Sequence, residues 1–275
     1  MEQYSVLMSV YVKEKPEYLK TSIESILGQT VLPEQFVIVQ DGTLTPQLLE
    51  VIAEYQEKYP LMFTVVPQET NQGLGKALDI GLQYCRNELV ARMDSDDISL
   101  PQRCEKQLAR FAQNPELTLL GGHIDEFYDD PDKIVSSKVV PCGYEDIKRY
   151  CRRRNPFNHP TVMFKKSQVL RCGGYGDLVR CQDFDLFSRM VNSGCYAENL
   201  DETLLLFRSN EGNYQRRKSW KSCSRYIHVV KLNHRRGYCS LWDLLVVECC
   251  QIAMCLMPIR MVKWFSDRFL RKTKG

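Results

Sequence analysis

Between residues 5 and 93 the chain alternates short apolar runs with amphipathic stretches, and this alternation restricts the fold more than any other feature. Residues 5–12, 35–39, 62–66 and 88–93 have the length and apolar content of buried strands, while 17–27, 46–59 and 75–84 carry apolar positions at helical spacing. Strands separated by helices have to cross over, so the expected architecture is α/β: a doubly wound, mostly parallel, Rossmann-like sheet with helices on its faces. In such sheets ligands bind beyond the carboxyl ends of the strands. Two acidic segments end strands here, Gln40-Asp41-Gly42 after the second and Arg92-Met93-Asp94-Ser95-Asp96-Asp97 after the fourth.

Three carboxylates beyond one strand end can share a hard cation. Oxygen ligands favour Mg²⁺ or Mn²⁺ over softer metals, and such ions need only one or two carboxylates when substrate phosphates complete the coordination. The expected cargo is therefore a diphosphate. The same residue types also favour turns and helix starts, so the run has a structural reading as well.

After Pro101 the alternation loosens. A helix is expected over 102–113, followed by an apolar segment at 117–122, a charged stretch at 128–133 and an extended segment at 134–140. Another helix at 144–152, an Asn155-to-Pro160 loop, a strand at 161–165 and a helix at 182–192 follow. At 275 residues and 44% hydrophobic content the chain can fill a sizeable core. From Arg208 onward there are 15 Lys and Arg against 4 Asp and Glu; of the overall +3, that leaves +11 on the tail and −8 on residues 1–207. The domain expectation is thus a catalytic unit over 1–208, divided into a nucleotide half (1–100) and an acceptor half (101–208), with a basic, amphipathic helical tail over 209–275.

Twelve cysteines without a single Cys-x-x-Cys spacing suggest free thiols, and with no secretory signal in view the expected compartment is the reducing cytoplasm. The apolar segment 241–257 is interrupted by Asp243, Glu248 and Gln251, so a membrane-spanning helix is not expected.

Several motifs occur in a consistent order: Ser9-Val10-Tyr11, Gln40-Asp41-Gly42-Thr43, Asn71-Gln72-Gly73-Leu74-Gly75-Lys76, the acidic run, Pro101-Gln102-Arg103 and His159-Pro160-Thr161. Together, over about residues 4 to 208, they resemble the family-2 glycosyltransferases of the GT-A fold, in particular short bacterial enzymes of O-antigen, capsule and exopolysaccharide synthesis. The resemblance implies a nucleotide-sugar donor, expected to be UDP-linked, with Val10, Tyr11 and Glu14 lining base and ribose and Asp41 contacting the base, or merely forming a turn. Asn71, Gly73 and Lys76 fall in an asparagine-glycine motif that approaches the donor, though an ordinary loop and helix cap would use the same residues. By the same resemblance Arg92 and Asp94 belong to the donor site and Asp94 and Asp96 to the metal site; Asp97 is a neighbour or a cap, and Arg103 a support or a surface residue. Arg208, with Arg216 and Arg217, is expected near the diphosphate.

The resemblance also implies a carboxylate base opening a helix in the second half, where Gln182-Asp183-Phe184-Asp185 stands with Gln in place of the usual first acid. Asp183 is the candidate base and Asp185 the reserve, with His159 and Tyr175 as further acceptor-side candidates. A base opposite the leaving group implies a one-step displacement with inversion, transferring a hexosyl or N-acetylhexosaminyl group. The Gln-x-x-Arg-Trp motif of processive synthases has no counterpart, so transfer of a single sugar is expected. The implied acceptor is a saccharide on a polyprenyl diphosphate. The tail, with Trp220, Trp242, Trp264 and Phe265 among its Lys and Arg, suits an anionic membrane surface on the inner face of the cell membrane, while packing on the body or in a homodimer is the competing use; no nucleic-acid partner is expected. The rival functions are a nucleotidyltransferase, which would need a Gly-rich basic loop that residues 6–20 lack, and a non-catalytic nucleotide- or membrane-binding module.

Overall fold

The computed structural model describes residues 2–209, 219–258 and 261. Its first half follows the expected alternation: β1 (Tyr4–Tyr11), α1 (Pro16–Leu27), β2 (Gln35–Asp41), α2 (Pro46–Lys58), β3 (Phe63–Pro67), α3 (Leu74–Tyr84) and β4 (Leu89–Met93). Helix starts follow local chemistry. Pro16 and Pro46 occupy first-turn positions that need no N–H donor, and the Thr45 hydroxyl accepts from Leu48 N at α2. Strands β3-β2-β1-β4 pair in parallel in that order, with β1 central between β2 and β4. Val6, Leu7, Met8, Phe36, Val37, Ile38, Val90 and Ala91 are fully buried because helices cover both faces of these strands.

Beyond β4 the sheet continues but changes direction. The later elements are β5 (Ile98–Ser99), α4 (Arg103–Gln113), β6 (Leu117–Phe127), β7 (Ile134–Lys138), α5 (Tyr144–Cys151), β8 (Met163–Lys165), α6 (Lys166–Arg171), α7 (Gln182–Asn192) and β9 (Tyr196–Arg208). Strand β8 pairs antiparallel with both β4 and β6, and β6 pairs in parallel with β9, so both halves share one nine-stranded sheet. The loosened sequence pattern after Pro101 is this mixed region. Strand β9, thirteen residues long, has no counterpart in the sequence-based expectation. Its Glu198 and Glu202 are held by Arg110 and Lys106 of α4, so charged positions that read as loop belong to a paired strand.

Within the tail, α8 (Trp220–Arg235) and α9 (Leu241–Leu256) form a helical hairpin that packs on α7. Val229 and Val230 of α8 and Leu244 and Val247 of α9 join Cys151 and Phe184 in a small apolar cluster. A reciprocal cap between Ser240 and Asp243 opens α9, and Asp243 also pairs with Arg153 at 2.6 Å. Among the described residues no helix is long and apolar enough to cross a membrane. Arg216, Arg217, Trp264 and Phe265 lie outside the described residues. All twelve cysteines are free.

Candidate active site

The end of β4 delivers the acidic run to the carboxyl edge of the parallel strands. Arg92 is almost completely buried, yet its guanidinium grips both oxygens of Asp94, with Nη1 to Oδ2 at 2.6 Å. A buried cation next to a carboxylate holds that carboxylate in one orientation. Ser22 Oγ donates to the Asp94 carbonyl at 2.7 Å, fixing the backbone as well. Asp94, Asp96 and Asp97 each offer an oxygen within 4.8 Å of the others. Glu14, from the loop after β1, accepts from Ser95 Oγ and adds a fourth carboxylate.

This crowding has electrostatic consequences. Burial first, then the neighbouring charges of Asp94 and Glu14, push the Asp96 carboxyl up to about 7. Burial and the adjacent acids raise Asp97 well above the usual carboxylate range. Asp97 Oδ1 accepts from Arg208 N at 2.8 Å, while its buried Oδ2 has no partner. Excess negative charge, hard oxygen donors and an orphaned buried carboxylate oxygen together fit a divalent cation of the Mn²⁺ or Mg²⁺ kind.

Arg208 reaches the acidic run from the far end of β9. Its Nε donates to the Asp96 carbonyl at 2.9 Å, and its guanidinium lies over Tyr18 and Phe127, 3.9 and 4.6 Å from the ring centroids. Arg103 is equally buried but faces the other way: Nη2 donates to the Arg92 carbonyl at 2.7 Å and Nε to Gln107 at 3.2 Å. It supports the strand end and makes no hydrogen bond to the carboxylates. Gln107, a residue that no sequence signal singles out, bonds the carbonyls of Leu120 and Thr161 and so joins α4, β6 and the His159-Pro160-Thr161 turn.

At the end of β2, Asp41 braces the following loop. Its carboxylate accepts from Gln72 N at 2.7 Å and Gly73 N at 3.1 Å, and Asn71 Nδ2 donates to its carbonyl. Gly42 adopts φ +85°, and a Cβ there would stand 2.7 Å from Asn71 N, so the close approach of the two loops requires glycine. Val10 is buried, whereas Tyr11 is exposed. Lys76, in the first turn of α3, pairs with Asp177 at 3.3 Å and leaves its stem in solvent.

The second half of the sheet region contributes α7. Asp183 stands in its first turn, partly exposed, with Oδ2 accepting from Asn155 Nδ2 at 2.7 Å. Burial raises its carboxyl, while the Phe184 N–H and the charges of Arg92 and Lys138 pull it back. Arg92 therefore acts on both the acidic run and Asp183. Asp185 lies differently. It is buried between Arg189 and Arg236, at 2.9 and 2.5 Å, tying α7 to the end of α8. His159 and Tyr175 are also buried and bonded to one another, Nε2 to the phenol oxygen at 2.9 Å. Burial and then Arg92 lower the His159 pKa well below the usual imidazole range, so the ring is neutral at physiological pH. Asp79, another residue outside the sequence-based candidates, accepts from Tyr175 N and Gly176 N and anchors this loop to α3.

A second group with potential ligands, His123, Cys142 and Asp201, is explained by hydrogen bonding. His123 Nδ1 accepts from Val140 N, which puts the ring proton on Nε2, facing Asp201 at 3.0 Å.

A parallel sheet half ending in a carboxylate cluster, joined through one continuous sheet to a mixed half that presents a further carboxylate, is the GT-A glycosyltransferase architecture. The chain belongs to glycosyl transferase family 2, whose model matches residues 5–187. It is 36% identical over 229 residues to the amylovoran biosynthesis glycosyltransferase AmsE of Erwinia amylovora, covering 83% of this chain and 85% of that one. Over 271 residues it is 32% identical to the UDP-Gal:alpha-D-GlcNAc-diphosphoundecaprenol beta-1,3-galactosyltransferase of Escherichia coli, covering 98% and 97% of the two chains. Among solved structures, the mannosyltransferase PcManGT of Pyrobaculum calidifontis, in complex with GDP-Man and Mn²⁺, aligns with a TM-score of 0.64 at 14% identity, over 96% of this chain and 79% of that one.

Proposed function

We propose that this protein is a metal-dependent, inverting glycosyltransferase of bacterial surface polysaccharide synthesis, moving one hexosyl or N-acetylhexosaminyl group from a UDP-linked donor to a saccharide carried on a polyprenyl diphosphate. The observation that carries the reading is the cluster of Asp94, Asp96 and Asp97 after β4, each offering an oxygen within 4.8 Å of the others, with the buried Arg92 gripping Asp94. The two relatives support the polysaccharide context by name, and the E. coli enzyme supports both the UDP donor and the lipid-linked acceptor.

In this mechanism Tyr11 and Glu14 line the nucleoside above the buried Val10, with Asp41 holding the loop of Asn71 and Gly73 against it. Asp96, with Asp94 beside it, would hold the divalent ion, which when bound would neutralise charge developing on the departing diphosphate, so that no general acid is needed. Asn155 holds Asp183 Oδ2, and the Asp183 carboxylate takes the proton of the acceptor hydroxyl. The freed oxygen bonds to the anomeric carbon as the carbon–oxygen bond to the diphosphate breaks, and the nucleoside diphosphate carries away that electron pair. Attack opposite the leaving group inverts the configuration. His159, Tyr175 and Asp185 shape the acceptor side through the loop and helix they hold in place.

The proposed location is peripheral, on the cytoplasmic face of the membrane. Leu241, Leu245, Ile252 and Leu256 recur at i, i+4, i+11 and i+15, forming one exposed stripe along α9, with Trp242 exposed beside it. An apolar stripe on a strongly basic tail suits an anionic bilayer surface. A panel of nucleotide sugars, screened with a lipid-diphosphate saccharide for Mn²⁺-dependent release of nucleoside diphosphate, tests the reading. Metal-independent release, or a product of retained configuration by NMR, would refute it.

A further inference from the structure

The catalytic body carries a net −8 over residues 1–207, yet the corner around Asp183 is basic. Three elements converge there: the loop after α5, the start of α7 and the first turns of α8. Tyr226 of α8 packs against Phe184 and donates to the Arg153 carbonyl at 3.0 Å. Arg180, just before α7, donates to Ser222 Oγ at 3.2 Å. Arg154 follows on the α5 loop one residue before Asn155, the residue that bonds Asp183. Arg225 and Arg180 both act on Cys181, two residues from the base, and Lys138 of β7 acts on Asp183 itself.

These cations differ from the others nearby. Arg153 is paired with Asp243 and Arg236 with Asp185, so both have structural work within the tail contacts. Among the described residues no carboxylate pairs with Arg154, Arg180 or Arg225. Arginine forks without a carboxylate partner suit phosphate oxygens. In the proposed function the donor's diphosphate belongs at the acidic run that follows β4. An anion held by these arginines would sit beside the Asn155 loop that bonds Asp183.

We infer that Arg154, Arg180 and Arg225, with Lys138 at the inner edge, bind the diphosphate of the acceptor beside the helix start that carries Asp183. The inference rests on the glycosyltransferase reading and adds an anionic acceptor subsite to it. Acceptor selection then depends on the group linking the sugar to its carrier as well as on the sugar. The tail has a part in this, since α8 supplies Arg225 and the Ser222 contact that orients Arg180.

Farnesyl diphosphate is the probe, titrated by calorimetry in EDTA against the full-length protein, with farnesol as the uncharged control. The expected result is binding of the diphosphate and not of farnesol, weakened at least about tenfold by Arg154→Gln with Arg180→Gln, and further by Arg225→Gln. UDP binding with Mn²⁺, measured separately, should be unchanged in every variant. If the variants bind farnesyl diphosphate as well as the unmodified protein does, the subsite assignment is wrong. It is equally overturned if they lose only partitioning onto phosphatidylglycerol vesicles, because the corner is then a bilayer contact. Failure of the unmodified protein to bind UDP would strike the glycosyltransferase reading itself, a different outcome from intact UDP binding with no effect of the substitutions.

Discussion

With Asp96 as the proposed metal ligand, metal binding should be sensitive to pH near neutrality. Its carboxyl, pushed up to about 7 by burial and by Asp94 and Glu14, holds a proton that an incoming cation has to displace. At about pH 6, one unit below that value, roughly ten molecules in eleven carry the proton, so apparent Mn²⁺ affinity should be about tenfold lower than at about pH 8. The sign for stability is the reverse of the usual carboxylate case. Because the folded pKa lies above the unfolded value of about 3.9, the metal-free protein binds more protons folded than unfolded between about pH 4 and 7, and it loses stability as pH rises through that window. Mn²⁺ should offset the loss most strongly at the upper end. Calorimetric titration of Mn²⁺ in the presence of saturating UDP, at about pH 6, 7 and 8 in buffers of different ionisation enthalpy, measures both the affinity and the protons released. Equal affinity at pH 6 and 8 with no proton release would refute the argument, as would an Asp96→Asn variant that keeps metal-dependent UDP binding and turnover.

Asp183→Asn should bind UDP and Mn²⁺ normally but lose transfer by about 10² to 10⁴, measured by product formation; a dead Asp185→Asn beside an active Asp183→Asn would move the base by two residues. Arg92→Met leaves Asp94 facing a buried site without its partner and should cost about 3 kcal/mol in urea unfolding with EDTA present, whereas an unchanged midpoint would mean that the ion pair stabilises nothing. Gly42→Ala forces a Cβ against Asn71 N at positive φ and should cost about 1–3 kcal/mol with weaker UDP binding; full affinity would show that the loop relaxes freely. Trp242→Ser with Leu245→Ser should reduce partitioning onto anionic vesicles without lowering the melting temperature, since both side chains are exposed; loss of a dimer in sedimentation would assign the stripe to a protein interface instead.

Local pattern was enough for the first half of the molecule. Apolar runs of strand length, amphipathic stretches of helical length and turn residues between them report the βα units directly, because each element buries one face and the face is written in the spacing of its own residues. The acidic run could be placed at a strand end for the same reason, and Asp183 at a helix start. What the spacing cannot carry is the choice among chemically equal residues. Asp183 and Asp185 are two positions apart, about 200° around the helix, and only the approach of α8 decides that Asp185 is clamped by Arg236 while Asp183 meets Asn155. Strand β9 is invisible locally because its acids are compensated by Lys106 and Arg110, ninety or so residues earlier. Arg92 looks in sequence like a charged residue leaving a strand, yet it is the buried cation of the site, and Arg208 joins the acidic run through contacts 111 and 112 residues distant. Burial and pairing of charges depend on partners far away along the chain, so they exist only once the sheet has closed.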